Sequence, residues 1–492
     1  MDGCAAEWAA EEFEQAALGD KRRTARLVSV AACALEHRAG KVTEVFPSDA
    51  EQQGAYGLLE NGKVSYEGLV ESAGAACARR CQAYGFVFVP VDGTSAKLAD
   101  PHGKKDFGAV GTYEAGARGL KVVSAIALSP AGEPIGLCAQ QQWTRPAQPK
   151  KRRTLQHRGK GAAARARRKA NAKRRAQEKR RRMRPVQEKE TWYWMETIRA
   201  VKERFAEHAP STRCWFQLDR EGDAWPILQT LREQRPTDLF TVRANWDRCV
   251  WRADGSESHL RAVLACKPVL GGYALDVAAG KKRTARRAHL AIRAATVLVD
   301  ARNRKTEKHS VLLLNAVWAC EVGTTPPGEK PVEWLLLTNH PVDSLEDAEW
   351  VLHGYSQRWK IEEVHKTWKK GGCQVEQSQL HTAAAAMKWA TLLFTVAVRI
   401  ERLKYLARSS PDAPASVELS PYEIRALIIL KRQQKKRTET VPDAMPTIAQ
   451  AARWIADLGG YTGKPKGGSF GSITLGRGLP EGHHRGQSAR RP

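Results

Sequence analysis

The chain has 492 residues and a formal net charge of +27 at pH 7, which indicates several domains and a polyanionic partner, either a nucleic acid or an anionic membrane surface. The most apolar run, 389–400, is too short to span a membrane and contains Arg399, and the N-terminus lacks the basic start and apolar core of a signal peptide. The ten cysteines contain no CxxC pair, so we expect a cytoplasmic protein with reduced thiols that binds nucleic acid rather than a membrane.

The first part of the chain, residues 1–80, is predicted to be helical. Asp20 is a suitable N-cap for one of its helices, and Arg22, Arg23 and Arg26 follow in the first turns. Cations at a helix N-terminus oppose the helix dipole, which indicates that they serve an external group such as DNA phosphate. A solvated basic turn is the alternative, and the residues alone do not decide between the two.

Two acids follow apolar runs that are predicted as buried strands. The run 85–92 ends in Asp92, and two further strands are predicted at 120–128 and 134–143, an order that resembles the opening of a ribonuclease H-like sheet. A later strand ends in Asp219. If the two acid-bearing strands are neighbours, their carboxylates meet at one edge and require a cation, which predicts a divalent metal. For each aspartate alone, a cap or turn role is the alternative.

Residues 150–184 differ from the rest of the chain because they contain 18 lysines and arginines and one acid, Glu178. With almost no apolar residues, such a segment has no core around which to fold. We interpret it as a basic arm inserted in the core, which binds a nucleic-acid backbone without sequence choice. A solubilising tract is the alternative.

The region 244–345 alternates short apolar runs with turn residues, which predicts a β-rich insertion between the sheet and the helices that follow. Trp334 lies on one of these strands. It has two interpretations, a stack on an exposed base or an ordinary place in the core, and composition alone favours the core.

A helix predicted after this region carries one acid between basic side chains. At about 100° per residue, Arg358, Glu362 and Lys369 share a narrow arc, with Tyr355 at its edge. The carboxylate is suited to a divalent metal and its neighbours to phosphate oxygens. The alternative is a surface helix stabilised by the pairs Arg358–Glu362 and Glu362–Lys366.

Beyond this helix, an apolar helix is predicted at 387–406, a basic linker at 431–437 and a small helix at 448–458. From Gly459 onward the sequence is Gly-rich and basic, with no pattern that forms a core.

Four strings, in the same order along the chain, resemble the cut-and-paste DDE transposases of the bacterial IS4 family, to which the Tn5 transposase belongs. They are Ala-Leu-Gly-Asp-Lys-Arg-Arg-Thr-Ala-Arg-Leu at 17–27, Gln-Gly-Ala-Tyr at 53–56, Trp-Leu-Leu-Leu-Thr at 334–338, and the spacing Tyr-x-x-Arg-x-x-x-Glu-x-x-x-x-x-x-Lys at 355–369. The resemblance implies an α/β fold with a ribonuclease H-like core, a helical N-terminal DNA-binding domain, a β-rich insertion domain and a small helical C-terminal segment.

The domains implied by the resemblance are 1–80 for transposon-end binding, 81–243 for the first part of the core with the basic arm inserted, 244–345 for the insertion, 346–410 for the second part of the core, and 411–492 for dimerisation. Because the last segment loses its core-forming pattern, we expect it to be either a dimerisation segment or a truncated remnant. In the second case the alternative function is a decayed or inhibitory end-binding protein without transposition activity. A ribonuclease H-like nuclease acting on RNA or on DNA junctions is a further rival.

The resemblance implies that Asp92, Asp219 and Glu362 are the catalytic triad and hold two Mg²⁺ or Mn²⁺ ions, while Glu363 lies off the relevant face. It implies cleavage of transposon ends through a DNA hairpin, with Trp334 stacked on a flipped base. The implied partners are double-stranded DNA, at terminal repeats and at the target, and a second copy of the chain on paired ends. The residues implied to contact DNA are Arg22, Arg23, Arg26, Arg243, Trp334, Tyr355, Arg358, Lys366 and Lys369.

Overall fold

The structure is a computed structural model of the chain. It describes residues 3–475 except 101, 112–115, 147–183 apart from five isolated positions, 234, 236, 253–254, 278, 281–282, 303–308, 435–440, 442–444, 462, 464–469 and 472–473. The basic arm predicted at 150–184 therefore lies almost wholly outside the described residues, as does most of the tail beyond 459.

The N-terminal region is helical, as predicted. Asp20 caps the second helix by accepting a hydrogen bond from the backbone N of Arg22 at 2.8 Å. Ser48 and Glu51 form a reciprocal capping box at the start of the fourth. The helices are α1 Gly3–Phe13, α2 Lys21–Glu36, α3 Val42–Val45, α4 Asp49–Leu59 and α5 Tyr66–Cys81.

Twelve described strands form one mixed sheet in the order β2-β3-β1-β5-β6-β12-β11-β10-β7-β8, with β4 also paired to β3 and β9 to β10. The strands are β1 Phe86–Lys97, β2 Gly108–Ala109, β3 Arg118–Leu128, β4 Pro134–Trp143, β5 Arg213–Leu218, β6 Leu239–Arg243, β7 Cys249–Trp251, β8 Glu257–His259, β9 Gly271–Val277, β10 Arg286–Arg302, β11 His309–Glu321 and β12 Glu333–Thr338.

Five strands at one end of the sheet, in the order β4-β3-β1-β5-β6, determine where the acids lie. β3 is antiparallel to both β1 and β4, whereas β1, β5 and β6 are mutually parallel. Parallel strands end at a common edge, and such an edge is where open α/β sheets place their ligand sites.

The predicted β-rich region 244–345 does contain strands β7 to β12, but they continue the core sheet. β12 pairs with β6 in an antiparallel register that sets Leu336 opposite Arg243. In place of the short runs that the sequence indicates, β10 is 17 residues long and pairs with β11 from Leu290 to Arg302. The short helix in this region was not predicted.

Successive residues of β1 point to opposite faces of the sheet, and Phe88 and Val89 are buried in two separate apolar clusters. Both faces are therefore apolar and both are covered by helices. These later helices are α6 Thr191–His208, α7 Trp225–Arg232, α8 Leu260–Ala265, α9 Leu345–Gln357, α10 Trp359–Lys369, α11 Ala383–Ser409, α12 Pro421–Gln434 and α13 Ile448–Leu458.

Two predictions about these helices were wrong. The single helix predicted from Tyr355 to Lys369 is divided into α9 and α10, which meet at Arg358. The predicted basic linker begins as the last turn of α12, where Lys431 is buried and its Nζ lies 3.2 Å from Asp457 Oδ2 of α13. A partner on the next helix gives this cation a structural role.

The apolar helix α11 is longer than predicted. By length and composition it is the one described helix that satisfies the criteria for a membrane span. However, 83% of its apolar window is buried inside the fold, which is the position of a core helix.

Candidate active site

The register of the parallel strands brings Asp92 and Asp219 together. Val91 pairs with Leu218, and Leu218 pairs with Val242. The next residues, Asp92, Asp219 and Arg243, therefore stand at one level on adjacent strands, which are about 4.8 Å apart. Asp92 is not at a strand end as predicted, because β1 continues to Lys97 in pairing with β3.

Asp219 leaves β5 and caps a short 3₁₀ turn, accepting a hydrogen bond from the backbone N of Glu221 at 2.7 Å. Burial and the charge of Asp92 raise the pKa of Asp219, against the opposing effect of that hydrogen bond. The local backbone thus fixes one carboxylate beside another in a partly desolvated place.

Arg358, at the junction of α9 and α10, connects the third acid to the first. Its side chain is buried, its Nη1 lies 3.8 Å from Asp92 Oδ1, and its Nη2 forms an ion pair with Glu362. Burial raises the pKa of Glu362 in spite of Arg358, and the charges of Asp92 and Asp219 add to the rise. The three acids therefore act on one another electrostatically.

The neighbouring Glu363 faces away from this group. Its Oε2 lies 3.5 Å from Lys404 Nζ of α11 and 3.9 Å from Lys360 Nζ. Adjacent positions on the helix thus place one carboxylate toward the aspartates and the other toward a helix of the core.

The other predicted residues of this helix pair occupy different environments. Lys369 Nζ donates to Thr94 Oγ1 of β1 at 2.5 Å, and burial lowers the pKa of Lys369. Lys366 is exposed. Tyr355 is buried, and its ring meets the ring of Trp334 edge to face with centroids 5.2 Å apart. Trp334 itself is 7% exposed.

The predicted DNA-contacting arginines do not all lie with the acids. Arg22 and Arg26 are exposed on α2, and Arg23 donates from Nη1 to Leu18 O at 2.8 Å. Arg243 is on the same sheet edge as the acids and donates from Nη2 to Glu333 O at 2.7 Å. Of these four arginines, the structure therefore places three on α2 and one on the strand next to Asp219.

Two further residues at this edge were missed. His365 is buried, and its Nδ1 lies 3.6 Å from Asp92 Oδ2. Its position three residues after Glu362 on a helix was a usable signal. Glu221 Oε2 comes within 3.6 Å of the place where a Cβ on Gly93 would lie, and partial burial and the charge of Asp219 raise the pKa of Glu221. Its sequence neighbourhood offered no comparable signal.

The donor types at this edge suit a hard divalent cation, since all three acids offer carboxylate oxygens. In the present side-chain arrangement, the described residues contain no group of three or more His, Cys, Asp and Glu side chains close enough to hold a metal ion. The carboxylate of Glu362 is engaged by Arg358. Rotation of that side chain away from Arg358 is the change that a three-carboxylate site requires.

Two family models match the chain, one near each end. A transposase DNA-binding model matches residues 5–64, which contain most of α1, the whole of α2 to α4 and the three arginines of α2. A transposase Tn5 dimerisation domain model matches residues 395–490. The second match extends through the Gly-rich tail, which agrees with the dimerisation segment that was one of the two expectations for this region. The low apolar content of that tail had been a poor guide to its identity.

Proposed function

Since the chain is a Tn5-like transposase with DNA-binding and dimerisation domains at its two ends, we propose that it moves an insertion sequence by cut-and-paste transposition, with Asp92, Asp219 and Glu362 as a DDE triad. The supporting observation is the register that sets Asp92 and Asp219 at one level on parallel strands, with Arg358 between Asp92 and Glu362. Its substrates are the terminal repeats of the element and a target duplex.

We assign the acid-bearing strands to a ribonuclease H-like core. The order β4-β3-β1-β5-β6, with three antiparallel strands followed by two parallel to the first, supports this assignment. The acids then belong to the first and fourth core strands and to a helix that packs on the sheet.

The three carboxylates are the groups that would hold two Mg²⁺ or Mn²⁺ ions, whose chemistry is to lower the pKa of an attacking water or 3′-hydroxyl and to neutralise the leaving oxygen. Asp92 and Asp219 are held in place by β1 and by the 3₁₀ turn, whereas Glu362 joins them by turning from Arg358. The same rotation frees the Arg358 guanidinium, so metal binding and phosphate binding are coupled through one ion pair.

The cations beside the acids position the scissile phosphate. Arg358 Nη1 is buried and makes no hydrogen bond within the described residues, although it lies 3.8 Å from Asp92 Oδ1, so a phosphate oxygen there would give this nitrogen a hydrogen-bond acceptor. Lys369, tied to Thr94 in β1, provides a second donor on the same helix face. Arg243, which stands at the level of Asp219 on the next strand, adds a further positive charge at this edge.

We further propose that cleavage passes through a DNA hairpin, with the flipped base received at Trp334. Trp334 is buried against Tyr355, so this role requires one of the two rings to move. The arginines of α2 would bind the transposon end, and each subunit of a dimer would act on paired ends. A cytoplasmic location stays a prediction.

Cleavage of a duplex that carries the sequence bordering the gene tests the proposal, with Mg²⁺ or Mn²⁺ added. We expect metal-dependent nicks and hairpins from the wild type, none from Glu362→Gln, and near wild-type products from Glu363→Gln, whose carboxylate pairs with lysines elsewhere. Native gels report paired-end complexes in parallel. End binding without cleavage would instead identify an inhibitory protein, and equal loss in both variants would refute the assignment of Glu362.

A further inference from the structure

Trp246 is the most exposed large apolar side chain in the described part of the chain, at 63%. It lies three residues beyond Arg243, where β6 ends. No other aromatic ring and no cation packs on its indole among the described residues. Single exposed apolar side chains are common on protein surfaces, so the case for a role of Trp246 depends on where its loop is held.

The loop that carries Trp246 is fixed by one buried carboxylate. Asp223 accepts a hydrogen bond from the backbone N of Asn245 at 2.7 Å and from Arg248 Nε at 2.9 Å. The backbone N–H of Trp246 also interacts with Asp223. Asp223 closes the 3₁₀ turn that begins at Asp219. The exposed ring is thus attached to the segment that presents the second acid.

The sheet register places this loop beside both functional landmarks of the edge. Arg243 stands at the level of Asp219, and three residues span at most about 10 Å between Cα atoms. On the other side, the backbone N of Ala244 donates to Leu335 O at 2.8 Å, so the loop begins next to the strand of Trp334. Trp246 therefore lies within reach of a nucleotide held at the acids.

We propose that Trp246 stacks on a nucleobase of the DNA bound at the catalytic edge. This inference rests on the proposed function and adds a base-contacting residue to it. Every base has a flat π face, so an indole on this loop binds it without reading its identity, while Arg243 at the end of β6 adds a positive charge nearby. The chain's charge of +27 favours DNA over an apolar protein partner for this ring.

The test uses duplex DNA that ends at the element border, with 5-iodouracil in place of single thymines near that end and without divalent metal. Irradiation cross-links such a base to an aromatic ring on which it is stacked. We expect a cross-link to Trp246 in the wild type, and a loss of affinity of about 5- to 150-fold in Trp246→Ala that Trp246→Phe largely restores.

Trp350→Ala is the matched control. Trp350 is 39% exposed and packs on Phe86 at the opposite end of β1, so we expect DNA binding to be unchanged. Cross-links that never include Trp246, or unchanged affinity in Trp246→Ala, would overturn the inference. The assay needs no cleavage, so its result is independent of activity. If the protein cross-links through Trp246 but does not cut DNA, only the proposed function is refuted. If the protein cuts DNA but Trp246 forms no cross-link, only this inference is refuted.

Discussion

The contact between α9 and the sheet leads to a sharp prediction at Gly354. A Cβ at this position would lie 2.6 Å from Phe88 Cε1 and 2.9 Å from Gln217 Nε2, whereas ordinary contacts begin at 3.4 Å. Phe88 belongs to β1 and Gln217 to β5, the two strands that present the aspartates. Gly354→Ala therefore forces the helix and these side chains of the strands apart by about 0.8 Å, the difference between 2.6 and 3.4 Å.

This displacement reaches the active site because α9 passes directly into α10 at Arg358. We expect Gly354→Ala to lower the free energy of unfolding by about 1–3 kcal/mol, as overpacked core sites do. We expect cleavage to fall by about 100-fold, because Arg358 and Glu362 retreat from Asp92 by a distance that active sites do not tolerate.

Urea unfolding and the border-cleavage assay measure the two effects. Gly57→Ala in α4 is the stability control, since no atom lies within 4 Å of a Cβ there, and we expect it to be neutral or to stabilise by about 0.5–1 kcal/mol. Removing bulk at the obstacle, with Phe88→Leu in the Gly354→Ala background, should recover part of the activity. If Gly354→Ala is as stable and as active as the wild type, the tight packing of α9 does not position Glu362.

Three further predictions concern charge and capping. Because burial and Asp92 raise the pKa of Asp219, the folded state binds this proton more tightly than the unfolded chain does, and the contribution to stability falls as pH rises. Asp219→Asn should therefore raise stability by about 1 kcal/mol at pH 7 without metal while abolishing cleavage, and a lower melting temperature would contradict this. Burial lowers the pKa of Lys202 from 10.5 to about 8, so the unfolded chain holds that proton more tightly than the folded chain does. The urea concentration at the unfolding midpoint should therefore increase as the pH is raised from 8 to 10.5 in the wild type, but not in Lys202→Met. Ser48→Ala removes a capping box and should cost about 1 kcal/mol in thermal unfolding, with a smaller effect from Glu51→Gln if the Ser48 bond dominates.

Local signals identified most of the elements but not their arrangement. The helix α13 has the predicted bounds, because a short apolar run between turn residues defines it. The first acid-bearing strand was expected to end at Asp92, yet pairing with β3 carries β1 on to Lys97. Strand pairing is a long-range property, so a turn-like composition does not reveal it.

The candidate site was predictable to a similar extent. The positions of Asp92 and Asp219 were expected from the runs that precede them, but their proximity depended on a strand order that the sequence left conditional. Glu362 was chosen over Glu363 by helical angle, and the structure places Glu363 toward Lys404. Neither His365 nor Trp246 belongs to a predicted constellation: the contact of His365 with Asp92 depends on how the helix packs on β1, and the place of the Trp246 loop depends on the neighbouring strands.

The continuity of the sheet from β6 into β12, β11 and β10 has a geometric consequence for how a duplex meets the protein. Adjacent strands rotate by about 20–25°, so three steps turn β10 by roughly 60–75° relative to β6. The β10–β11 ribbon therefore runs steeply across the direction of the acid-bearing strands. A DNA duplex bound along the catalytic edge would therefore contact two surfaces that meet at a wide angle, the acid-bearing strands and the β10–β11 ribbon.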